Sequence, residues 1–305
     1  MDKFKFSIIF FRFVATSNDY SLMITGYRQR DCLLDTCYLR HLRLLRVLSL
    51  YSCFLKVEDS LLNEICMLNH LRFLRIGTQV KSLPLSFSNL WNLETLLVEN
   101  DKPPLVLLPG IWNLVKLRVL VMSCCSFFDL DTDEPVLIAE DTKLENLRFL
   151  GQLMLSYSKY TEDIFKRFPN LQVLELRIKG SYDYSTEQYW FPKLDFLNEL
   201  ESLRVGVGFE SSNTSVATKW LWDFHFPSNL KQLRLYDFFL TSDALSTIAR
   251  LPNLKELTLV HSIIQGEEWN MGEEDTFDNL KILRLDEVTL TKWKVEDESF
   301  PVLEK

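Results

Sequence analysis

Leucine and other apolar residues recur along this chain in the order L-x-x-L-x-x-L-x-L, with polar or β-branched residues between them. Leu42, Leu45, Leu48 and Leu50 carry the clearest copy, followed three residues later by Cys53. Further L-x-L pairs are Leu74/Ile76, Leu96/Val98, Leu120/Met122, Leu153/Leu155, Leu174/Leu176, Leu203/Val205, Leu233/Leu235, Leu257/Leu259 and Leu283/Leu285. Their first positions lie 26, 22, 24, 33, 21, 29, 30, 24 and 26 residues apart. Residues two apart share one face of a strand, so each pair predicts a short strand with its leucines pointing inward. Leu48 and Leu50 then face a core, while Val47, Ser49 and Tyr51 face outward. The upstream leucines, three apart, suit an irregular or short helical turn on the opposite side. Leu83-Pro84, Leu108-Pro109, Phe168-Pro169 and Leu251-Pro252 mark turns, because proline has no N–H for strand pairing.

One such strand cannot bury its leucines alone. Stacked on the next copy, it shares a continuous core and extends a parallel sheet. Most steps fall in or near the range of leucine-rich repeats, whose consensus L-x-x-L-x-L-x-x-[N/C] the copies follow. The expected fold is therefore an α/β solenoid of about ten leucine-rich repeats. A curved parallel sheet lines its concave side, and loops and short helices line its convex side. An amphipathic helical repeat does not fit the strict L-x-L with β-branched and aromatic neighbours. The three largest steps read as loop insertions.

Residues 1–41 precede the first repeat and read as a capping segment or the remnant of a preceding domain; residues 42–305 form the repeat domain. Phe4–Val14 is apolar but interrupted by Lys5 and Arg12. It is far short of the roughly 20 apolar residues that span a bilayer, and no other stretch qualifies. An acidic insertion occupies 126–143; others fall at 178–192 (with Tyr182, Tyr184, Tyr189 and Trp190), 206–222 and 265–276. Phe300–Lys305 look like the opening of another repeat, so the array is expected to stop mid-repeat.

The net charge of −8, from 42 acidic and 34 basic residues, argues against nucleic-acid partners, which need a basic footprint. Of the six cysteines, Cys53 and Cys125 occupy the Asn/Cys position of their repeats, where a small buried polar group can bond the turn. There is no C-x-x-C pair to hold zinc, no flanking cysteine pairs, and one glycosylation sequon, at Asn213. Together these point to a reducing compartment. Asp129, Asp131, Asp133 and Glu140 imitate a calcium loop, but Glu134 stands where the loop needs glycine and Pro135 follows. A solvated acidic loop fits better. No phosphate-cradling G-x-x-x-x-G-K-[ST], G-x-S-x-G or H-E-x-x-H string occurs, and the four histidines are scattered. No enzymatic activity and no cofactor are expected in this chain.

The outward strand positions carry the functional signal. In the early repeats they are Val47, Ser49, Phe73, Arg75, Thr95, Leu97, Val119, Val121 and Met154, a mainly apolar set. In the later repeats they are Glu175, Arg177, Arg204, Gln232, Arg234, Tyr236, Glu256, Arg284 and Asp286, charged and mixed. Contiguous exposed apolar surface marks an interface that something covers. The early face is thus expected to dock a domain, unless upstream loops fold over it, and the later face to stay open for recognition.

SNLWNLETL at residues 88–96, Leu108-Pro109-Gly110-Ile111-Trp112-Asn113-Leu114, and the Pro-Asn-Leu strings at 169–171 and 252–254 resemble the repeats of plant nucleotide-binding leucine-rich-repeat immune receptors. The resemblance is to the coiled-coil class of late blight resistance type, and it covers roughly Leu42–Lys305. It implies a cytoplasmic sensor, with peripheral membrane association as a variant, that meets a pathogen effector or host guardee and triggers a hypersensitive response. It also implies that the repeats restrain a nucleotide-binding domain, in cis or in trans. That domain would bind ADP or ATP through a phosphate loop and a Met-His-Asp motif, and neither string is in this chain. A free-standing scaffold or ubiquitin-ligase substrate adaptor is the alternative. An extracellular receptor would instead show L-x-G-x-I-P repeats, many sequons and paired cysteines.

Overall fold

The computed structural model of the chain describes residues 20–23, 39, 42–50, 59–100, 105–107, 109–127, 142–155, 161–179, 182–183, 188–189, 191–208, 222–271, 275–296 and 298–304. Phe4–Val14, Cys53, the calcium-like acidic loop and Asn213 lie outside these residues. The described residues pack as two compact units, the first reaching Phe127 and taking in Leu144 and Leu147, the second running on from Arg148.

In the first unit, five strands lie side by side in the order of the sequence, all parallel: β1 (Tyr20–Met23), β2 (Leu45–Leu50), β3 (Phe73–Thr78), β4 (Thr95–Asn100) and, past the two-residue β5 (Leu105–Val106), β6 (Val119–Ser126). Leu48, Leu74, Leu96 and Leu120 are in register, as are Leu50 with Ile76 and Val98 with Met122. All eight are essentially buried. The alternation of buried and half-buried positions along β3 and β4 is the predicted in–out pattern.

The opposite side is built from short helical turns: α1 (Asp59–Ile65) and two 3-10 turns, Leu85–Asn89 and Pro109–Asn113. Pro84, in extended conformation, caps the first 3-10 turn. The two turns stack closely, and a Cβ on Gly110 would come 2.9 Å from the Leu85 carbonyl oxygen. Only glycine fits that approach. Cys125 is buried, as expected, and its thiol donates to the Ser123 carbonyl at 3.4 Å within β6 rather than to a turn.

Beneath α1, burial pushes the Cys66 thiol up from 9.0 to about 11, although a hydrogen bond from Ser86 pulls the other way. The folded state therefore holds the thiol proton more tightly than the unfolded chain does. The resulting stability is intact below pH 9 and fades as pH rises toward about 11. Urea midpoints measured across this range should fall more steeply for the wild type than for Cys66→Val. Parallel declines would contradict the assignment.

The second unit repeats the plan with β7 (Phe149–Leu155), β8 (Val173–Lys179), the antiparallel pair β9 (Tyr182–Asp183) and β10 (Gln188–Tyr189), then β11 (Ser202–Gly208), β12 (Gln232–Tyr236), β13 (Phe239–Leu240), β14 (Glu256–Val260), β15 (Ile263–Ile264), β16 (Glu268–Asn270), β17 (Ile282–Asp286) and β18 (Lys292–Lys294). Its main sheet runs β7, β8, β11, β12, β14, β17, all parallel, with Leu174, Leu203, Leu233, Leu257 and Leu283 in register. The pairs β13–β15 and β16–β18 are short secondary ladders following the main strands. Two helices, α2 (Thr161–Phe165) and α3 (Ser242–Ala249), serve as turns. Thr241 caps α3 by accepting from the Ala244 N–H at 3.2 Å, as an N-terminal threonine does.

One register assignment needs correction. Leu150 and Leu153, not Leu153 and Leu155, align with Leu174 and Leu176. Two residues, Gly151 and Gln152, stand opposite one, and Gln152 adopts a left-handed φ of 58°. This β-bulge shifts everything after it by one position. Met154 consequently lines up with Arg177 rather than Glu175, and it belongs to the second unit rather than with the early repeats.

In five repeats an asparagine precedes the buried leucine that opens the strand approach, and its side chain reaches back to the preceding repeat. Asn92 Nδ2 donates to the Asn69 carbonyl at 2.9 Å and Asn146 to Val115 at 2.8 Å in the first unit. In the second, Asn229 donates to Asn198, Asn253 to Ser228 and Asn279 to Pro252, at 2.6, 3.0 and 2.7 Å. This ladder ties successive turns together where no strand hydrogen bonds do.

Candidate protein-binding faces

On the first unit the outward rows are Val47, Phe73, Thr95 and Val119, then Ser49, Arg75, Leu97 and Val121. Ser49 is buried, contrary to expectation: β1 pairs alongside it and Arg75 lies on the other side, so its short side chain is covered. The remaining residues are half-buried. The set is not wholly apolar, because Arg75 Nη2 meets Glu99 Oε1 at 3.2 Å. The most exposed large apolar side chains of this unit, Leu44, Met67, Leu85, Trp91 and Val115, sit on the turns instead. Lys116 covers part of Trp91, with Nζ 5.0 Å from the ring centre, and donates to Asn92 Oδ1 at 2.7 Å.

On the second unit the register gathers most of the expected recognition residues. Glu175, Arg204, Arg234, Thr258 and Arg284 form one row, and Arg177, Gly206, Tyr236, Val260 and Asp286 the next. Arg204 is held from two sides. Its Nη1 lies 3.5 Å from Glu175 Oε1, its Nη2 donates to the Tyr236 hydroxyl at 2.9 Å, and its guanidinium carbon is 5.2 Å from the Tyr236 ring centre. The planar fork is thereby fixed in orientation. Arg204 Nε is buried without a hydrogen-bond partner. Glu256 is half-buried, while Arg284 and Asp286 are exposed on β17.

Two features went unread in the sequence. Gly206 occupies an outward position between Arg177 and Tyr236; a Cβ there would lie 3.8 Å from Tyr236 Cβ and 4.0 Å from Arg177 Cγ and Nε. The signal was available in the VGVG run at 205–208, because glycine inside a strand marks a place another group approaches closely. The second is a row of left-handed residues just past the strands: Asp237, His261 and Glu287, with φ of 61°, 48° and 50°. His261 Nε2 is 3.2 Å from Glu287 Oε2 and its Nδ1 3.7 Å from Asp237 Oδ1. Nothing in the leucine spacing marks that row.

The acidic insertion before β17 has a structural part. Asp275 is buried, accepts the Ser246 hydroxyl of α3 and lies 3.5 Å from Arg250 Nη2. Between β16 and β18, Lys294 bonds Glu268 at 2.6 Å and lowers the pKa of that half-buried carboxyl from its ordinary value. Among the described residues no group of three histidines, cysteines or carboxylates is placed to hold a metal ion, and no helix is long and apolar enough to cross a membrane.

The family model described as leucine-rich repeat region matches residues 21–305. A late blight resistance protein homolog of Solanum demissum is 33% identical over 232 residues, 73% of this chain and 16% of that protein. Late blight resistance protein R1-A of the same species is 33% identical over 231 residues, again 73% of this chain and 16% of its own length. This chain thus spans about a sixth of these relatives. A leucine-rich-repeat protein of Leptospira interrogans superposes with a TM-score of 0.46 at 18% identity, covering 92% of this chain and 79% of its own. Register-matched parallel strands with buried leucines, and a family match over nearly the whole length, place the chain in the leucine-rich repeat family, with repeats similar to those of the late blight resistance proteins.

Proposed function

We propose that this chain is the protein-recognition region of a cytoplasmic plant immune receptor, binding rather than catalysing. The sheet face of its second unit meets a pathogen effector or a host protein that effectors target. The face of its first unit, Val47, Phe73, Leu97, Val119 and Val121 around the Arg75–Glu99 pair, docks a nucleotide-binding domain in cis or in trans and holds it inactive. ADP or ATP would bind to that domain, not to these repeats. The observation that carries this reading is the difference between the two faces. One is a half-buried, largely apolar sheet crossed by the Arg75–Glu99 ion pair; the other carries a row of arginines with one held in a fixed orientation. Similarity to late blight resistance proteins supports it.

The test is a chimera in which full-length R1-A carries this chain in place of its matching repeats, expressed in leaf tissue. The chimera should be silent at rest and should respond to a different set of pathogen isolates from R1-A. A response spectrum identical to that of R1-A would overturn the recognition role. In the same chimera, Leu97→Asp with Val121→Asp should raise cell death without any effector. Those two side chains are register neighbours on the half-buried face, and charges there oppose docking of an apolar partner. A chimera as silent as its parent would remove the docking role.

A further inference from the structure

We propose that the second unit's face seats an acidic peptide segment of the partner protein. A carboxylate side chain enters over Gly206, between Arg177 and Tyr236, and is gripped by Arg177 and Arg234. This rests on the reading of that face as the recognition surface and specifies what it recognises.

Three observations carry it. First, the charges around Gly206 are unbalanced: Arg177, Arg204 and Arg234 face one carboxylate, Glu175, and that one is engaged by Arg204. Among the described residues no carboxylate lies within ion-pair distance of Arg177 or Arg234. The chain as a whole carries −8, so this patch is opposite in sign to the chain's net charge. Second, Arg204 and Arg234 are direct register neighbours. Like charges directly opposite each other on a sheet destabilise it, and an incoming anion relieves the repulsion. Arg204 is turned toward Glu175 and the Tyr236 hydroxyl, which leaves Arg234 as the free cation of the pair. Third, Gly206 carries no side chain between Arg177 and Tyr236: a Cβ there would lie 3.8 Å from Tyr236 Cβ and 4.0 Å from Arg177 Cγ and Nε, at ordinary contact distance, so the sheet face is open at that position. A planar carboxylate fits the guanidinium fork there in two parallel hydrogen bonds. Nucleic acid is a poor occupant, because three arginines fall short of the extended basic footprint that a phosphate backbone needs.

The probe is a labelled hexaglutamate peptide, with hexaglutamine as control, titrated into the purified full chain by fluorescence anisotropy at low and physiological salt. Hexaglutamate should bind, more weakly as salt rises, and hexaglutamine should not. Gly206→Val should weaken binding by about tenfold or more, because it fills the gap that the gripped carboxylate needs. Its unfolding midpoint should stay unchanged, since a Cβ at that position meets only ordinary van der Waals distances. Arg234→Glu should do the same through charge, whereas Lys255→Glu, exposed just before β14 and away from Gly206, should leave the affinity within about twofold. Equal binding by Gly206→Val and wild type would overturn the proposal. So would binding of inorganic phosphate alone with none of hexaglutamate, which would mark a phosphate site. If hexaglutamate fails while the chimera still takes its response spectrum from these repeats, the acidic-segment proposal falls and the recognition role stands. If hexaglutamate binds as described and the spectrum does not follow the repeats, the site stands and the recognition role falls.

Discussion

Leu235→Ala should cost the second unit about 3 kcal/mol, the middle of the range for emptying a leucine site in a packed core. Leu235 is fully buried, and its register neighbours, Val205 on β11 and Leu259 on β14, are fully buried as well. The cavity therefore opens between three repeats and cannot be filled from the surface. Because repeats exchange energy with their neighbours, amide exchange should speed up first along β11, β12 and β14. Urea unfolding gives the magnitude and hydrogen exchange the location. A loss under about 1 kcal/mol would mean that the neighbouring repeats collapse into the space.

Phe238→Ala should cost about 4 kcal/mol, and Phe238→Leu about 1 kcal/mol, because leucine refills most of the volume. Phe238 is 1% exposed and lies just past β12. Its ring centre is 4.8 Å from Trp222 and 6.0 Å from Phe224, and Phe224 in turn contacts Phe191 and Phe226 at 4.9 Å each. Trp222 Nε1 donates to the Phe239 carbonyl at 2.9 Å, which anchors the cluster to the end of the repeat. Five aromatic rings thus do here what leucines do elsewhere. Thermal and urea unfolding of both variants check the ranking, and an alanine variant as stable as the leucine variant would refute it. Both experiments bear on function, because β12 presents Arg234 and Tyr236. Variants of its buried side should lose hexaglutamate affinity only in proportion to the fraction unfolded. Those of its outward side should lose affinity while folded.

Much of the second face could be named from the strand pattern. Arg177, Arg204, Arg234 and Tyr236 all stand at outward positions of in-register strands, because alternation along a strand is a local property. The contacts among them could not be named. Arg204 bonds Glu175, 29 residues before it, and Tyr236, 32 residues after it. Only stacking of three repeats brings those residues into reach. Gly206 has no side chain for a hydropathy pattern to register, so its meaning appears only once Arg177 and Tyr236 stand on either side of it.

The leucine spacing alone was sufficient for the repeat class, the direction of the inward residues, the position of most strands and the placing of turns at proline, since burying alternate side chains in a strand depends on nothing beyond the chain's own period. It failed wherever neighbouring repeats had to agree. Leu153 and Leu155 are inward and buried as expected, but the bulge at Gly151 and Gln152 makes Leu150 and Leu153, not Leu153 and Leu155, the partners of Leu174 and Leu176, because pairing with β8 rewards the register that buries Leu150 against Leu174. Ser49 was placed outward correctly yet is covered, because β1 joins the sheet beside it. The asparagine ladder and the Asp237–His261–Glu287 row likewise join side chains to atoms one repeat away. Period is written in each repeat separately, whereas register, cover and charge pairing are properties of the stack.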